Sequence, residues 1–294
     1  MILAVGEALM EFRREGTDGR LTTPGTWAGP FPSGAPAIFA SVAARLGAPT
    51  ALAASVGDDA MGHALIERMR RDGVCADGMT VVPERATPIA LVAYRDDGTR
   101  DFWFSVHDSA AMELEAAAAE QMAEHADWLH VSGSTLGFGG RLAEAVEAAA
   151  ARVLERGGRL SLDPNVRADA DAVLRERMAR FARAAYVLFP SEGELAALDL
   201  DPDDLARRGA VICETRGRDG ALLLGGDPDP DPVRATAVNE VDATGAGDTF
   251  AAAFVTALRD GADARSAAVF GCETASRSVS VLGAMEAPIE PRGA

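Results

Sequence analysis

Short apolar runs alternate along this chain with longer segments of helical period. Six runs read as buried strands: MILAVG at the start, then TALAASVG, ADWLHVSG, GRLSLDP, AYVLFPS and GAVICET. Each is apolar and closed by polar, Gly or Pro residues. Between them, apolar positions recur at helical spacing over roughly 36–46, 60–73, 138–157, 169–183 and 191–199. This alternation predicts an α/β fold, a mostly parallel central sheet with helices on both faces. Ligands meet such sheets at the carboxyl ends of the strands. Ser132, Gly133, Asp163, Asn165, Arg167, Ser191, Glu192 and Glu194 fall there.

Two regions break the alternation. Residues 11–32 are rich in turn formers, and residues 86–107 read as a hairpin in which PIALVAY and DFWFSV flank the Asp-Gly turn of RDDGTR. Together they predict a small β lid on a single domain spanning 1–294. Phe102, Trp103 and Phe104 are consecutive, so they point to both faces of their strand. One face must pack beyond the hairpin, which leaves open ordinary sheet packing, a cover over a ligand, or a dimer contact. Residues 226–232 read as an acidic, Pro-rich surface loop.

Composition narrows the chemistry. The chain has 294 residues, 48% hydrophobic, enough to bury one large core. No run approaches the roughly 18 apolar residues of a membrane span, and the first apolar run has no basic segment ahead of it. A net charge of −17 argues against nucleic acid or an anionic membrane as partner. Cys75, Cys213 and Cys272 are odd in number and lack metal-ligand spacing, which suits a reducing cytoplasm. All 28 basic residues are arginine. A chain without lysine has no Walker A loop and no pyridoxal phosphate Schiff base. Phosphate, if bound, is held by backbone amides, arginine or a metal.

One segment could supply such amides. ATAVNEVDATGAGDTFAAAF runs from a strand-like stretch through a loop into a helix. Gly245 and Gly247 allow close backbone approach, and the amides of residues 245–248 would converge at a helix N-terminus that favours an anion. Asp248 beside that anion is either a helix cap or a base that takes a proton from an attacking hydroxyl. Spacing leaves both readings open. In SLDPNVR, Asp163 and Asn165 could hydrogen-bond to hydroxyls, and Arg167 offers a fork for a carboxylate or phosphate. The same residues also make an ordinary turn. His107 and Asp108 follow the hairpin within reach of a ligand beneath it. No G-x-G-x-x-G follows the first strand, which disfavours a dinucleotide-binding dehydrogenase.

DATGAGDTFAAAF resembles the C-terminal signature of the ribokinase-like (PfkB) carbohydrate kinases. SGAPAIFASVAARLGAPTALAASVGDDAMGHALIERMRRDGV is similar to their N-terminal signature. SLDPNVR resembles the D-x-N-x-R segment of the fructokinase and 2-keto-3-deoxygluconate kinase branches, LFPSEGEL falls where the family has N-x-x-E, and TRGRDGALL where it has T-x-G-x-x-G. These elements occur in family order across nearly the whole chain. The resemblance implies a ribokinase-like α/β fold and an ATP- and Mg²⁺-dependent sugar kinase. Its substrate would be a ketose or keto-sugar acid, 2-keto-3-deoxygluconate first, with fructose or tagatose close behind. A catalytically silent sugar- or nucleotide-binding regulator is the alternative.

The resemblance also implies roles. Asp248 is the base, and Gly245, Ala246 and Gly247 form the anion hole. Ser191, Glu194, Thr215, Gly217, Gly220 and Cys272 contact nucleotide, with Glu194 acting on Mg²⁺ through water. Asp242 and Gly283 sit where many members bind a monovalent cation such as K⁺. Glu11, Gly34, Ala35, His107, Asp163, Asn165 and Arg167 face the sugar. A homodimer through the lid is familiar in the family. Three positions depart from the family pattern: Ile38 stands where a sugar-contacting asparagine is usual, with Ser33 for a glycine nearby; Ser191 replaces the N-x-x-E asparagine; and Cys272 falls near an adenine-side asparagine.

Overall fold

The computed structural model describes residues 1–16, 20–96, 99–167, 170–225 and 232–291. In chain order the strands are β1 (Ile2–Val5), β2 (Leu9–Arg14), β3 (Trp27–Ser33), β4 (Thr50–Gly57), β5 (Met79–Val82), β6 (Ile89–Tyr94), β7 (Arg100–Phe104), β8 (Trp128–Ser132), β9 (Arg159–Asp163), β10 (Val187–Leu188), β11 (Val211–Thr215) and β12 (Ala221–Leu224). The helices are α1 (Ala35–Arg45), α2 (Ala60–Arg71), α3 (Ala116–Ala123), α4 (Gly133–Phe138), α5 (Gly140–Glu155), α6 (Ala172–Ala184), α7 (Glu194–Ala197), α8 (Pro202–Arg207), α9 (Ala246–Arg259) and α10 (Ala264–Ser278).

The central sheet has eight strands in the order β12-β11-β10-β9-β8-β1-β4-β5. All its pairings are parallel except β11 with β12. The six apolar runs of the sequence form its six inner strands. β1 and β4 are buried at every position because helices cover both faces. On one face α1, α9 and α10 pack around Phe39, Phe250 and Phe254, and on the other α5 and α6 bury Leu142, Val146, Val153, Met178 and Phe181. The edge strands β5 and β12 lack an uninterrupted buried run, so periodicity did not reveal them.

The lid is a separate sheet of order β3-β2-β6-β7, with β2 and β6 parallel and the outer pairs antiparallel. It lies close to the predicted 11–32 and 86–107. The β6–β7 hairpin forms as expected, although Asp97 and Gly98 of its turn lie outside the described residues, as does most of the 226–232 loop. β2 follows β1 after three residues, so the lid hangs from the carboxyl edge of the central sheet.

Three expectations change. The stretch before Gly245 carries no strand, because residues 236–241 are almost wholly exposed and find no ladder partner. The helix expected over 138–157 divides at Gly139 (φ +69°), which ends α4 and starts α5. The helix expected over 191–199 shrinks to α7, since Gly193 adopts a left-handed turn before it. Among the described residues no helix is long and apolar enough to cross a membrane.

Candidate active site

Three adjacent strand ends and one helix start build the site. β9, β8 and β1 are neighbours in the sheet, and their carboxyl ends carry Asp163, Ser132 and the Gly6-Glu7 pair. Gly133 lets two of these ends touch: a β-carbon there would stand 1.6 Å from the carbonyl oxygen of Pro164. Opposite them begins α9, capped by Gly245 in a left-handed conformation (φ +75°) with no side-chain cap. Of its first-turn amides, Ala246 N–H bonds Ala243 O at 3.3 Å and Asp248 N–H bonds its own carboxylate; the first amides of a helix have no partner within its own ladder. A β-carbon on Gly247 would lie 3.5 Å from Asp163 Oδ2, so the anion loop and the end of β9 are in contact. A β-carbon on Gly245 would sit 3.0 Å from both Ile38 and Ala284. Ile38 thus supports the anion loop by packing from below, an apolar role where the family pattern has asparagine.

Carboxylates crowd this point. Burial pushes Asp248 well above the ordinary carboxylate range, and the charges of Asp163 and Glu7 push it further. Burial and Glu194 raise Asp163 to about 7. Glu7 is raised by burial, although Thr135 Oγ1 donates to its Oε2 at 2.6 Å. A base with a raised pKa is matched to proton abstraction near neutral pH. The same crowding of negative charge suits a site that receives a divalent cation with its substrate.

Glu194 joins two loops. Its Oε1 accepts the Val166 N–H at 2.6 Å and its Oε2 the Ser191 N–H at 2.8 Å. Burial raises its pKa. Each oxygen keeps lone-pair capacity for a water, which fits a role on Mg²⁺ through the hydration shell. Among the described residues no group of three or more His, Cys, Asp or Glu is arranged to hold a metal directly. Mg²⁺ commonly takes one or two carboxylates, waters and substrate phosphates, so this donor set fits it.

The nucleotide candidates lie further along the sheet. Ser191 and Thr215 face each other with hydroxyls 3.5 Å apart at the ends of β10 and β11. Gly217 and Gly220 bound the turn before β12, and a β-carbon on Gly220 would meet Val233 O at 2.0 Å. Cys272 is buried in α10, with Sγ 3.8 Å from the same Val233 oxygen, and burial pushes its thiol to about 11. It acts there as packing.

On the sugar side, Gly34 (φ +104°) opens α1 against Glu7, whose carbonyl would be 2.6 Å from a β-carbon on Gly34. Ala35 follows, and its N–H bonds the Glu7 carboxylate. Asn165 is in the left-handed region (φ +45°), and its N–H bonds Asp163. Glu11 is buried and accepts from Ser33 Oγ at 3.1 Å, while burial and Asp242 raise it to about 7. His107 packs edge-on against Phe138 and lines a cavity of about 500 Å³ with Phe102, Phe104, Asn165 and Arg167. Arg167 also lines a second cavity of about 700 Å³ with Arg20, Arg95 and Arg100. Its guanidinium lies 5.2 Å above the Phe104 ring.

The structure brings together residues that sequence reasoning missed. Glu7 adds a third carboxylate beside Asp248. Arg100 reaches the arginine cavity from the lid. Tyr94 and Arg13, also in the lid, reach the anion loop: Tyr94 Oη donates to Asp242 Oδ1 at 2.8 Å, and Arg13 Nη1 donates to Val241 O at 2.6 Å. Their only signal was position in lid strands, which does not identify a partner 148 or 228 residues away.

The monovalent-cation site expected at Asp242 and Gly283 meets a different donor set. Asp242 Oδ1 also accepts the Thr244 N–H, and Oδ2 accepts the Gly283 N–H at 3.1 Å, with Arg13 Nη1 3.6 Å away. Gly283 thus meets Asp242 through its N–H, and the carboxylate already has donors on both oxygens and a guanidinium beside it. This set does not fit a resident cation.

Comparison with known proteins agrees with the geometry. A family model described as "pfkB family carbohydrate kinase" matches residues 1–291. The chain is 31% identical over 268 residues to a fructokinase of Escherichia coli, covering 87% of this chain and 84% of that protein. It is 30% identical to the Arabidopsis thaliana protein named probable fructokinase-5, over 89% of this chain and 84% of the other. An E. coli crystal structure described as a ribokinase II with ATP and Mg²⁺ superposes with a TM-score of 0.88 at 32% identity, covering 97% and 94% of the two chains.

Proposed function

Because the chain belongs to the pfkB family of carbohydrate kinases, we propose that it transfers the γ-phosphate of ATP to a hydroxymethyl group of an acidic keto-sugar, 2-keto-3-deoxygluconate in first place. The observation that carries the acidic substrate is the cavity lined by Arg20, Arg95, Arg100 and Arg167. Asp101 also lines this opening and pairs with Arg95 at 2.6 Å, and the excess of guanidinium groups over carboxylates that remains, in a chain of net charge −17, favours a carboxylate there. The aromatic rings beneath Arg100 and Arg167 hold them as planar forks.

Bound Mg·ATP supplies the phosphoryl group and neutralises charge among the site's carboxylates. Asp248 takes the proton of the acceptor hydroxyl as its oxygen bonds to the γ-phosphorus and the bond to the β-phosphate oxygen breaks. The amides of Gly245, Ala246 and Gly247 receive charge developing on the transferred group. Asp163 and Asn165 orient sugar hydroxyls, and Glu194 would hold Mg²⁺ through water. Ser191, Thr215, Gly217 and Gly220 border the nucleotide. Glu11, Gly34, Ala35 and His107 complete the sugar side.

A neutral ketose is the second reading, favoured by the fructokinases among the relatives. A panel of 2-keto-3-deoxygluconate, fructose, tagatose and ribose with Mg·ATP, read by ADP release, separates the two. A kcat/KM for fructose equal to or above that for the acid overturns the acidic reading. A reducing cytoplasm is proposed from the free thiols of Cys75, Cys213 and Cys272. A dimer through the lid is proposed from Trp103, 50% exposed on β7; sedimentation of wild type against Trp103→Asp tests it.

A further inference from the structure

Two buried carboxylates, Glu11 and Asp242, are 3% and 2% exposed and close enough for Asp242 to raise the pKa of Glu11. Such a pair needs positive charge or donors close by. Thr244 and Ser33 hydrogen-bond Glu11, and Tyr94 and two backbone N–H groups serve Asp242. Among the described residues the guanidinium of Arg13 lies within ion-pair distance of Asp242, and the charge of Arg100 also acts on Glu11.

Arg13 is placed by the lid. It lies two residues beyond Glu11 on β2, so both share one face of the strand. Its guanidinium stacks 4.3 Å from the centre of the Tyr94 ring, and Tyr94 Oη reaches Asp242 Oδ1 and, at 3.3 Å, Thr244 Oγ1. Arg13 Nη1 binds Val241 O. The two side chains thus hold Val241, Asp242 and Thr244, the residues that lead directly into the anion hole at Gly245. A third lid residue, Phe31, lies against Gly283 on the far side of Asp242.

We propose that Arg13 is a positioning residue: its guanidinium, braced on Tyr94, supplies the positive charge at Asp242 and ties the lid to the anion loop, so the loop needs no monovalent cation. The proposal rests on the kinase reading of the anion loop. Two consequences follow. Nucleotide binding is indifferent to the monovalent cation in solution, and loss of the Arg13 charge loosens the γ-phosphate end of the site.

Calorimetric binding of the non-hydrolysable analogue AMP-PNP with Mg²⁺ tests this in tetramethylammonium, sodium and potassium chlorides at equal ionic strength. The wild-type Kd is expected to vary by less than about twofold among the salts, and Arg13→Gln to weaken binding by about fivefold or more in tetramethylammonium. Arg13→Lys, which restores charge, is expected to recover most of the loss. Wild-type binding that tightens more than about fivefold on adding potassium overturns the proposal, as does Arg13→Gln binding like wild type or Arg13→Lys binding as weakly as Arg13→Gln. Circular dichroism reports the fold of each variant. If Arg13→Gln does not fold, Tyr94→Phe keeps the ring and removes the bond to Asp242. Weakening by about twofold or more is expected there, and unchanged binding overturns the link between lid and loop. Absence of AMP-PNP binding to wild type in every salt overturns the nucleotide site itself and this proposal with it.

Discussion

Asp163 Oδ2 stands 3.5 Å from the place a β-carbon on Gly247 would occupy. That contact joins the end of a central strand to the first turn of α9. It sets the carboxylate proposed to orient substrate against the amides proposed to receive phosphate. The distance is ordinary van der Waals contact, so a methyl group fits, but it would shield both the carboxylate and the loop from a ligand. Gly247→Ala is therefore expected to keep its thermal stability while losing about tenfold or more in kcat. Gly133→Ala should do the reverse. Its methyl would overlap the Pro164 carbonyl, and a melting experiment should show destabilisation of more than about 2 kcal/mol.

In the proposed mechanism Asp248 carries the proton transfer. Asp248→Asn should lower kcat by roughly 10²- to 10⁴-fold while sugar and nucleotide still bind. Near-normal turnover in that variant would remove the base assignment. Burial and the charges of Asp163 and Glu7 raise the Asp248 pKa. The acid limb of kcat/KM should accordingly lie above the ordinary carboxylate range, with activity rising as pH increases through it.

Glu11 makes the apo protein less stable as pH rises. Its folded pKa is about 7 against an ordinary 4.5, so between those values the folded state holds a proton that the unfolded state has released. The stabilising contribution is full below 4.5 and is lost as pH rises through about 7. Glu11→Gln removes this dependence. Relative to wild type, the variant should gain stability from pH 5 to pH 8, by at most about 3 kcal/mol. Urea denaturation at both pH values checks it; an unchanged difference would show that Glu11 titrates normally.

In the proposed reading Arg100 and Arg167 set the preference for an acidic substrate. Arg100→Gln should lower kcat/KM for 2-keto-3-deoxygluconate by about tenfold or more, mostly through KM, and leave that for fructose nearly unchanged. Equal losses on both sugars would mean that Arg100 recognises no carboxylate.

Much of this molecule could be read before its structure. The six apolar runs had to be inner strands because each is too short for a helix and too apolar for a surface. The proposed anion loop stood out because its glycines, its carboxylate and the following apolar helix are contiguous. Asp163, Asn165 and Arg167, the proposed sugar-side residues, stood out for the same reason. β5 and β12 were not, since half-exposed edge strands leave no clear period.

Local sequence thus determined the alternating fold, the absence of lysine chemistry and the glycine-rich start of α9, because each depends on neighbours within a few positions. The tertiary structure decided what surrounds that loop. Arg13 and Tyr94 reach Asp242 from strands 229 and 148 residues away, Ile38 packs under Gly245, and Arg100 meets Arg167 across a cavity. Nothing near an arginine in the sequence says whether it will end in solvent, on an aromatic ring or beside a buried aspartate. Folding decides that, because only the packed chain removes the water that would otherwise screen and satisfy each charge.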